Sequence, residues 1–337
     1  MSPAEAAARD LPQLRLLRRA RSHQDGLGQL TTFAFLFPGQ GAQFVGMARD
    51  LLEKDAGSQA LLRQAEQRLG MPLGRLMLEG PEAELQATQH AQPAIVFHSL
   101  ALLQLLGARG VVPGAVAGHS LGEFAALVAA GGLTPLDALT AVRARGEAMA
   151  AAARSGSGMM AVLGLDDAAV DRVCAGIVDL VPANYNAPGQ VVISGTNAAL
   201  ETATPLLERA GARRLVRLPV SAAFHSPLMA SAADRFTVAW EKIPLQSLRL
   251  PQVFNGDAEI HAEPLEVRRL MVGQLTGPVR WTQSIRRLQQ LGADAFVEVG
   301  PGRALTGLVK KIIPGAVLHN IDDMSSLHGF LQVATHA

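Results

Sequence analysis

The sequence is poor in cysteine, in excess charge of either sign and in long apolar runs. Its 337 residues include one cysteine, Cys174. No internal disulfide can form, and no Cys-x-x-Cys or Cys/His cluster offers zinc ligands. Thirty Lys and Arg stand against 29 Asp and Glu, a formal net charge of +1. The chain therefore lacks the global basic field that grips nucleic acid, and no nucleic-acid partner is expected. Apolar runs are broken well before the ~18 residues a membrane span needs, so no membrane association is expected. Internal repeats and low-complexity blocks are absent as well. What is there is a chain 49% hydrophobic, too apolar to stay unfolded. A single core stops growing near ~250–300 residues, so more than one lobe is expected. The expectation is a soluble, cytoplasmic α/β protein.

Residues 1–30 carry Arg9, Arg15, Arg18, Arg19 and Arg21 among Ala and Leu, with Pro12 interrupting any helix. They lack the apolar stretch and cleavage site of a secretory signal. Glu5 and Asp10 speak against a transit peptide, which leaves a mobile N-terminal extension as the expectation. Beyond it the pattern alternates strand and helix. Thr32–Phe37 is an apolar run ending at Pro38-Gly39, as a buried strand entering a tight loop should. Pro93–Leu106 reads as a buried helix, Gly114–Gly118 as a short strand and Glu123–Ala130 as the helix after it. Gln252–Asn255 and Ala295–Val299 look like further core strands. Such alternation argues for a parallel sheet with helices on its faces.

The segment 155–220 reads differently. Strand Met159–Leu165, helix Ala168–Ile177, strands Leu180–Tyr185 and Gln190–Ser194, helix Ala198–Ala210 and strand Arg214–Leu218 follow one another. This is the βαββαβ order of a ferredoxin-like unit. The predicted organisation is an α/β-hydrolase-like large lobe over 31–154 and 221–325 with a parallel sheet. A ferredoxin-like small lobe over 155–220 is inserted into it, and a C-terminal helix or tail occupies 326–337. The cleft between lobes is the expected ligand site.

Gly118-His119-Ser120-Leu121-Gly122 carries the chemistry. Strand, then G-x-S-x-G, then helix is the context of a nucleophile elbow, which exposes Ser120 Oγ at a helix N-terminus. The helix dipole and the N–H of Leu121 then face any oxyanion formed there. A nucleophilic serine needs a base. His119 faces away in such a turn and suits hydrogen bonding or substrate positioning. Spacing alone leaves His225, where the small lobe returns the chain to the large one, and His319, after the apolar run Ala316–Leu318, as equal rivals.

Four segments occur in order: Phe37-Pro38-Gly39-Gln40-Gly41-Ala42-Gln43, Gly118-His119-Ser120-Leu121-Gly122-Glu123, Phe224-His225-Ser226-Pro227 and Glu298-Val299-Gly300-Pro301-Gly302. From about Thr32 to about Asp323 the chain resembles the malonyl-CoA:acyl carrier protein transacylases and the related acyltransferase domains of polyketide synthases. The resemblance implies Ser120 as the acylated residue and His225 as its base. It matches Gln274 to the residue whose main-chain carbonyl orients the imidazole, and Gln40 to the second oxyanion-hole amide beside that of Leu121. Arg145 matches the arginine that binds the free malonyl carboxylate, while Arg143 reads as a solvated face residue. Phe224 matches the position associated with preference for malonyl over methylmalonyl. Asn184 and Asn186 resemble the loop beside the cleft, where they could equally be turn-forming. The resemblance further implies malonyl-CoA as substrate, an acyl carrier protein with its phosphopantetheine as partner, no cofactor, and a monomer. Carrier proteins of this kind are acidic, so Arg213, Arg214, Arg217, Arg286, Arg287, Lys310 and Lys311 are candidate contacts. Three rivals remain: an acyl hydrolase on the same fold, an α/β-hydrolase esterase using His319, and a catalytically silent carrier-docking scaffold.

Overall fold

Phe33-Ala34-Phe35-Leu36-Phe37 is buried along its whole length, and a strand apolar on both faces belongs in the middle of a covered parallel sheet. The computed structural model describes residues 32–153, 155–220 and 222–334. The N-terminal extension expected at residues 1–30 lies outside them. In chain order the strands are β1 (Phe33–Phe37), β2 (Ala115–Gly118), β3 (Ser157–Leu163), β4 (Leu180–Ala187), β5 (Gln190–Thr196), β6 (Arg214–Arg217), β7 (Gln252–Val253), β8 (Ala295–Val299) and β9 (Val317–Ile321). The large lobe holds a five-stranded sheet ordered β7-β2-β1-β8-β9, with every neighbouring pair parallel. Helices cover both faces, among them the almost wholly buried Thr88–Gly107. It starts five residues before the expected Pro93, which lies inside it and cannot donate to Gln89 O; Arg143 Nη1 donates to that oxygen instead, at 2.9 Å.

The small lobe has the predicted βαββαβ order. Its four-stranded sheet runs β4-β5-β3-β6, antiparallel throughout, with helices Asp167–Ala175 and Asn197–Arg209 on one face. The period of two divides its side chains. Met160, Val162, Val191 and Ile193 pack with those helices in a core of their own, whereas Met159, Ala183 and Val192 join the core of the large lobe. A further backbone tie joins the lobes, since Tyr185 N–H donates to Val279 O at 2.9 Å and Val279 N–H to Ala183 O at 2.8 Å. The cleft is thus bounded by a fixed sheet face.

One strand was unexpected, and the alternative left open at the C-terminus is decided. β9 was not anticipated: its polar His319 and Asn320 break the apolar run, which an edge strand tolerates because one side stays half-exposed. The C-terminal segment is not a free tail over its described part. Met324–Ala334 forms a helix with Met324, Leu327 and Phe330 buried, and Met324 N–H donates to Asp50 Oδ2 at 2.7 Å.

Candidate active site

β2 ends at Gly118, and the chain turns through His119 into a single 3-10 turn, Ser120–Gly122, before helix Glu123–Ala129 begins. The turn is sharp enough to force Ser120 to φ +52°, a strained conformation for a residue with a Cβ. Both flanking glycines are required by close approach. A Cβ on Gly118 would sit 2.0 Å from the carbonyl carbon of Gly122, and one on Gly122 would sit 2.2 Å from Phe37 O. Asn255 holds the turn from below. Its Oδ1 accepts the Ser120 N–H at 2.7 Å, and its Nδ2 donates to Gly118 O at 2.7 Å.

His225 Nε2 lies 2.8 Å from Ser120 Oγ, and Nδ1 lies 2.8 Å from Gln274 O. A carbonyl can only accept, so Nδ1 carries the proton and Nε2 is the free acceptor that faces the serine hydroxyl. Burial drives the imidazole down to about 3, with the Arg145 charge acting in the same direction. His225 is therefore neutral, with Nε2 free to accept a hydrogen bond from the serine hydroxyl. The FHSP segment forms the local support: Ser226 Oγ donates to Ala223 O at 2.6 Å and accepts the Leu228 N–H at 3.3 Å. His319, the rival from spacing, packs edge-on against Phe33 and Phe330 and does not line the cavity described below.

Arg145 is 1% exposed. Nη1 donates to Gln92 Oε1 at 2.8 Å, and Nη2 donates to Gln274 Oε1 at 2.7 Å and to Ser120 Oγ at 3.1 Å. Its Nε has no partner. Every acceptor is neutral. Burial lowers the guanidinium to about 10, and the Glu123 carboxyl opposes that shift from a distance. A buried cation without a carboxylate in contact is costly unless an anion is meant to arrive. Arg143, expected as a solvated face residue, is half-buried: its Nη1 donates to Gln89 O at 2.9 Å, and it pairs with Glu147 at 2.6 Å.

These groups open onto a cavity of about 480 Å³ between the lobes. Gln40, His119, Ser120, Arg145, Asn184, Asn186, Phe224 and His225 line it, with Met149, Met159, Val192, Leu218 and Val220 as apolar wall. His119 Nε2 meets Asn186 Oδ1 at 2.9 Å, a bond across the lobes, and Gln40 Nε2 donates to Thr88 Oγ1 at 3.2 Å. Leu121 turns its side chain into the core, which leaves its main chain beside Ser120. Arg213, Arg214 and Arg217 are exposed on or beside edge strand β6, and Leu218 to Val220 just after it reach the cavity. Arg287 is engaged with Glu259 and Lys311 with Gln190.

The fourth sequence segment is a support rather than part of the site. Glu298 accepts the N–H groups of Leu305 and Thr306 at 3.0 and 2.9 Å, capping helix Ala304–Ile312. Gly300 leaves no room for a Cβ, which would meet Ser99 Oγ at 2.5 Å and Pro38 at 2.7 Å. That contact braces the loop carrying Gln40. Sequence reasoning passed over Gln92, Asn255 and the carboxyl of Glu123. Each sits at the edge of an apolar run, where a polar side chain reads as exposed, yet all three are buried. Among the described residues no cluster of metal-ligating side chains occurs, and no helix is long and apolar enough to cross a membrane.

Residues 34–323 match the acyl transferase domain family. The chain is 41% identical over 288 residues to the malonyl CoA-acyl carrier protein transacylase of Bacillus subtilis, covering 84% of this chain and 91% of that one. It is 38% identical over 309 residues to the protein of the same name from Escherichia coli, covering 90% and 100%. Among solved structures it resembles a malonyl-transacylase in complex with its type II PKS acyl-carrier protein, with TM-score 0.87, 38% identity and coverage of 90% and 100%. A malonyl CoA-acyl carrier protein transacylase from Coxiella burnetii superposes with TM-score 0.88 at 35% identity, covering 91% and 99%.

Proposed function

The chain belongs to the acyl transferase domain family, and from that premise we propose that it moves the malonyl group of malonyl-CoA to the phosphopantetheine thiol of an acyl carrier protein. The observation that carries this reading is Arg145, a buried cation with neutral acceptors only, 3.1 Å from the serine oxygen that would carry the acyl group. A guanidinium offers a carboxylate two parallel N–H donors, which fix both its charge and its position.

In the first half-reaction Ser120 Oγ attacks the thioester carbonyl while His225 Nε2 takes its proton. The main-chain amides of Gln40 and Leu121 receive the oxyanion. Collapse breaks the C–S bond, the CoA sulfur leaves with the proton from His225, and a malonyl-serine ester remains. The carrier thiol then gives its proton to His225 and attacks the ester. Ser120 departs and recovers that proton. Malonyl-CoA is a substrate and CoA a product, and no step asks for a metal or cofactor. The Gln274 carbonyl holds the Nδ1 proton, so the imidazole needs no carboxylate partner to keep its tautomer.

His119 and Asn186 span the mouth between lobes and would position the thioester. Arg213, Arg214 and Arg217 are the charges best placed to meet an acidic carrier near the cavity. Ser120, His225, Arg145 and Gln274 come from one chain, so a monomer suffices for the reaction. Hydrolysis of the acyl-enzyme is the lesser reading, since the relatives are named transacylases. The test is intact-mass analysis after mixing with malonyl-CoA. A malonyl adduct should form on the wild type and not on Ser120→Ala, and adding carrier protein should remove it as malonyl-carrier. Release as free malonate would transfer the assignment to a hydrolase.

A further inference from the structure

Glu123 follows the G-x-S-x-G turn and lies beneath the site, 1% exposed. Its Oε1 accepts the main-chain N–H of Asn255 at 2.6 Å, and its Oε2 accepts from Gln274 Nε2. Both partners carry parts of the site. The Asn255 side chain fixes the Ser120 N–H and the Gly118 carbonyl. Gln274 holds His225 Nδ1 through its main-chain carbonyl and Arg145 through its side-chain oxygen, and its Nε2 also reaches Ser120 O at 3.0 Å. One carboxyl thus joins the turn bearing the nucleophile to the segment that orients the base. A carboxyl is an expensive group to bury, and burial pushes this one up to about 8; the two N–H donors and Arg145 pull the other way, toward the ionised form whose two oxygens both accept. An amide of the same shape would be easier to bury. It offers one acceptor oxygen, however, and two N–H donors converge here.

We propose that Glu123 is a positioning residue for the Ser120–His225 pair, clamping Gln274 and Asn255 so that the imidazole, the serine turn and Arg145 keep one mutual geometry. The proposal rests on the dyad described above and not on the identity of the acyl donor. Displacement by about 1 Å at a reacting centre can cost on the order of 10²-fold in rate. In Glu123→Gln one donor meets an NH2 group, and the clamp opens on that side.

The test uses a fluorophosphonate, which labels Ser120 by displacing fluoride at phosphorus and needs the dyad but no acyl-CoA. Labelling rates would be compared for wild type, Glu123→Gln, Gln274→Met (which keeps the carbonyl facing His225) and the double variant. Glu123→Gln should label up to about 10²-fold more slowly, and the double variant no more slowly than Gln274→Met, because both remove one linkage. The downfield ring N–H resonance of His225 should be present in wild type and lost in Glu123→Gln. If near-ultraviolet circular dichroism shows Glu123→Gln unfolded, Glu123→Asp replaces it in the same cycle, with the same non-additivity expected. Labelling within about twofold of wild type, or losses that simply add, would overturn the proposal. A wild type that labels but is never malonylated would overturn the proposed function and leave the role of Glu123 standing.

Discussion

Arg145 Nη2 donates to Ser120 Oγ at 3.1 Å while His225 Nε2 approaches the same oxygen at 2.8 Å. The serine hydroxyl can satisfy both, giving its hydrogen to the imidazole and a lone pair to the guanidinium. The cation that would hold the far end of the substrate is therefore in contact with the atom that attacks the near end. A malonyl group is short, and this closeness suits a carbonyl and a carboxylate separated by one carbon.

Arg145→Ala should lose malonyl transfer by on the order of 10²–10⁴-fold, since stranding one partner of a buried ion pair costs about 3–5 kcal/mol. Acetyl transfer has no carboxylate to strand and should fall far less. Arg145→Lys should recover little, because an ammonium keeps the charge without the two-pronged geometry. Malonyl- and acetyl-CoA kinetics for both variants decide the matter. Equal losses for the two substrates would assign Arg145 to the fold.

Replacing the base should slow acylation of Ser120 by roughly 10²–10⁴-fold. His225→Ala is expected to behave so in a single-turnover mass experiment, whereas His319→Ala, altering a ring packed on Phe33 and Phe330, should keep near-normal acylation and lose some stability. The reverse pattern would restore the esterase-like arrangement.

The elbow was legible because its chemistry is local. A strand, two glycines around a serine and a following helix can be read from adjacent residues, and the clash distances at Gly118 and Gly122 supply the reason. The small lobe was legible because six short elements followed one another without a long-range choice. His225 was not separable from His319 by spacing, since the decision depends on which loop the sheet order brings beside β2, a contact 105 residues away in sequence. Gln92, Asn255 and Glu123 were harder still. Their partners lie 53 residues or more along the chain, and at the edge of an apolar run nothing local tells a buried polar residue with a partner from an exposed one.

Gly122→Ala should damage the protein more than a methyl group normally does. Overpacking costs about 1–3 kcal/mol where neighbours can move; here the obstacle is the backbone oxygen of Phe37 at 2.2 Å. Urea denaturation should place the loss at or above the top of that range, together with lost serine labelling. A loss under about 1 kcal/mol would show that β1 and the turn can separate freely.

Phe224 is 5% exposed and borders the cavity beside His225. Its bulk should crowd an α-methyl substituent on the acyl group. A methyl is worth ~1–3 kcal/mol of discrimination in a pocket, so malonyl-CoA should outcompete methylmalonyl-CoA by a finite factor, and Phe224→Ser should narrow that factor. Equal use of both esters by the wild type would pass the selection to other wall residues such as Met149 or Leu218.

The buried imidazole makes the protein's stability depend on pH in a definite direction. His225 titrates near 6.5 when unfolded and is held down to about 3 by burial in the folded chain. Between those values the unfolded state binds a proton that the folded state refuses, so stability falls as pH drops below 6.5. The full contribution is present above 6.5. One proton of difference corresponds to about 1.4 kcal/mol per pH unit, so about 2 kcal/mol should be lost on going from 6.5 to around pH 5. His98 and His119 are shifted down by burial in the same sense, and carboxylates such as Asp323, held low by Ser326, add to the acid loss. His225→Ala cancels those shared terms when the two proteins are compared. Urea denaturation across this range should show a shallower acid decline in the variant by about one proton. Acylation should follow the same logic from the other side. Since the base stays unprotonated, single-turnover acylation measured where the fold is intact should show no loss centred on pH 6.5. A titration there, or identical pH slopes for wild type and variant, would mean that His225 meets solvent freely and is not held as the neutral base.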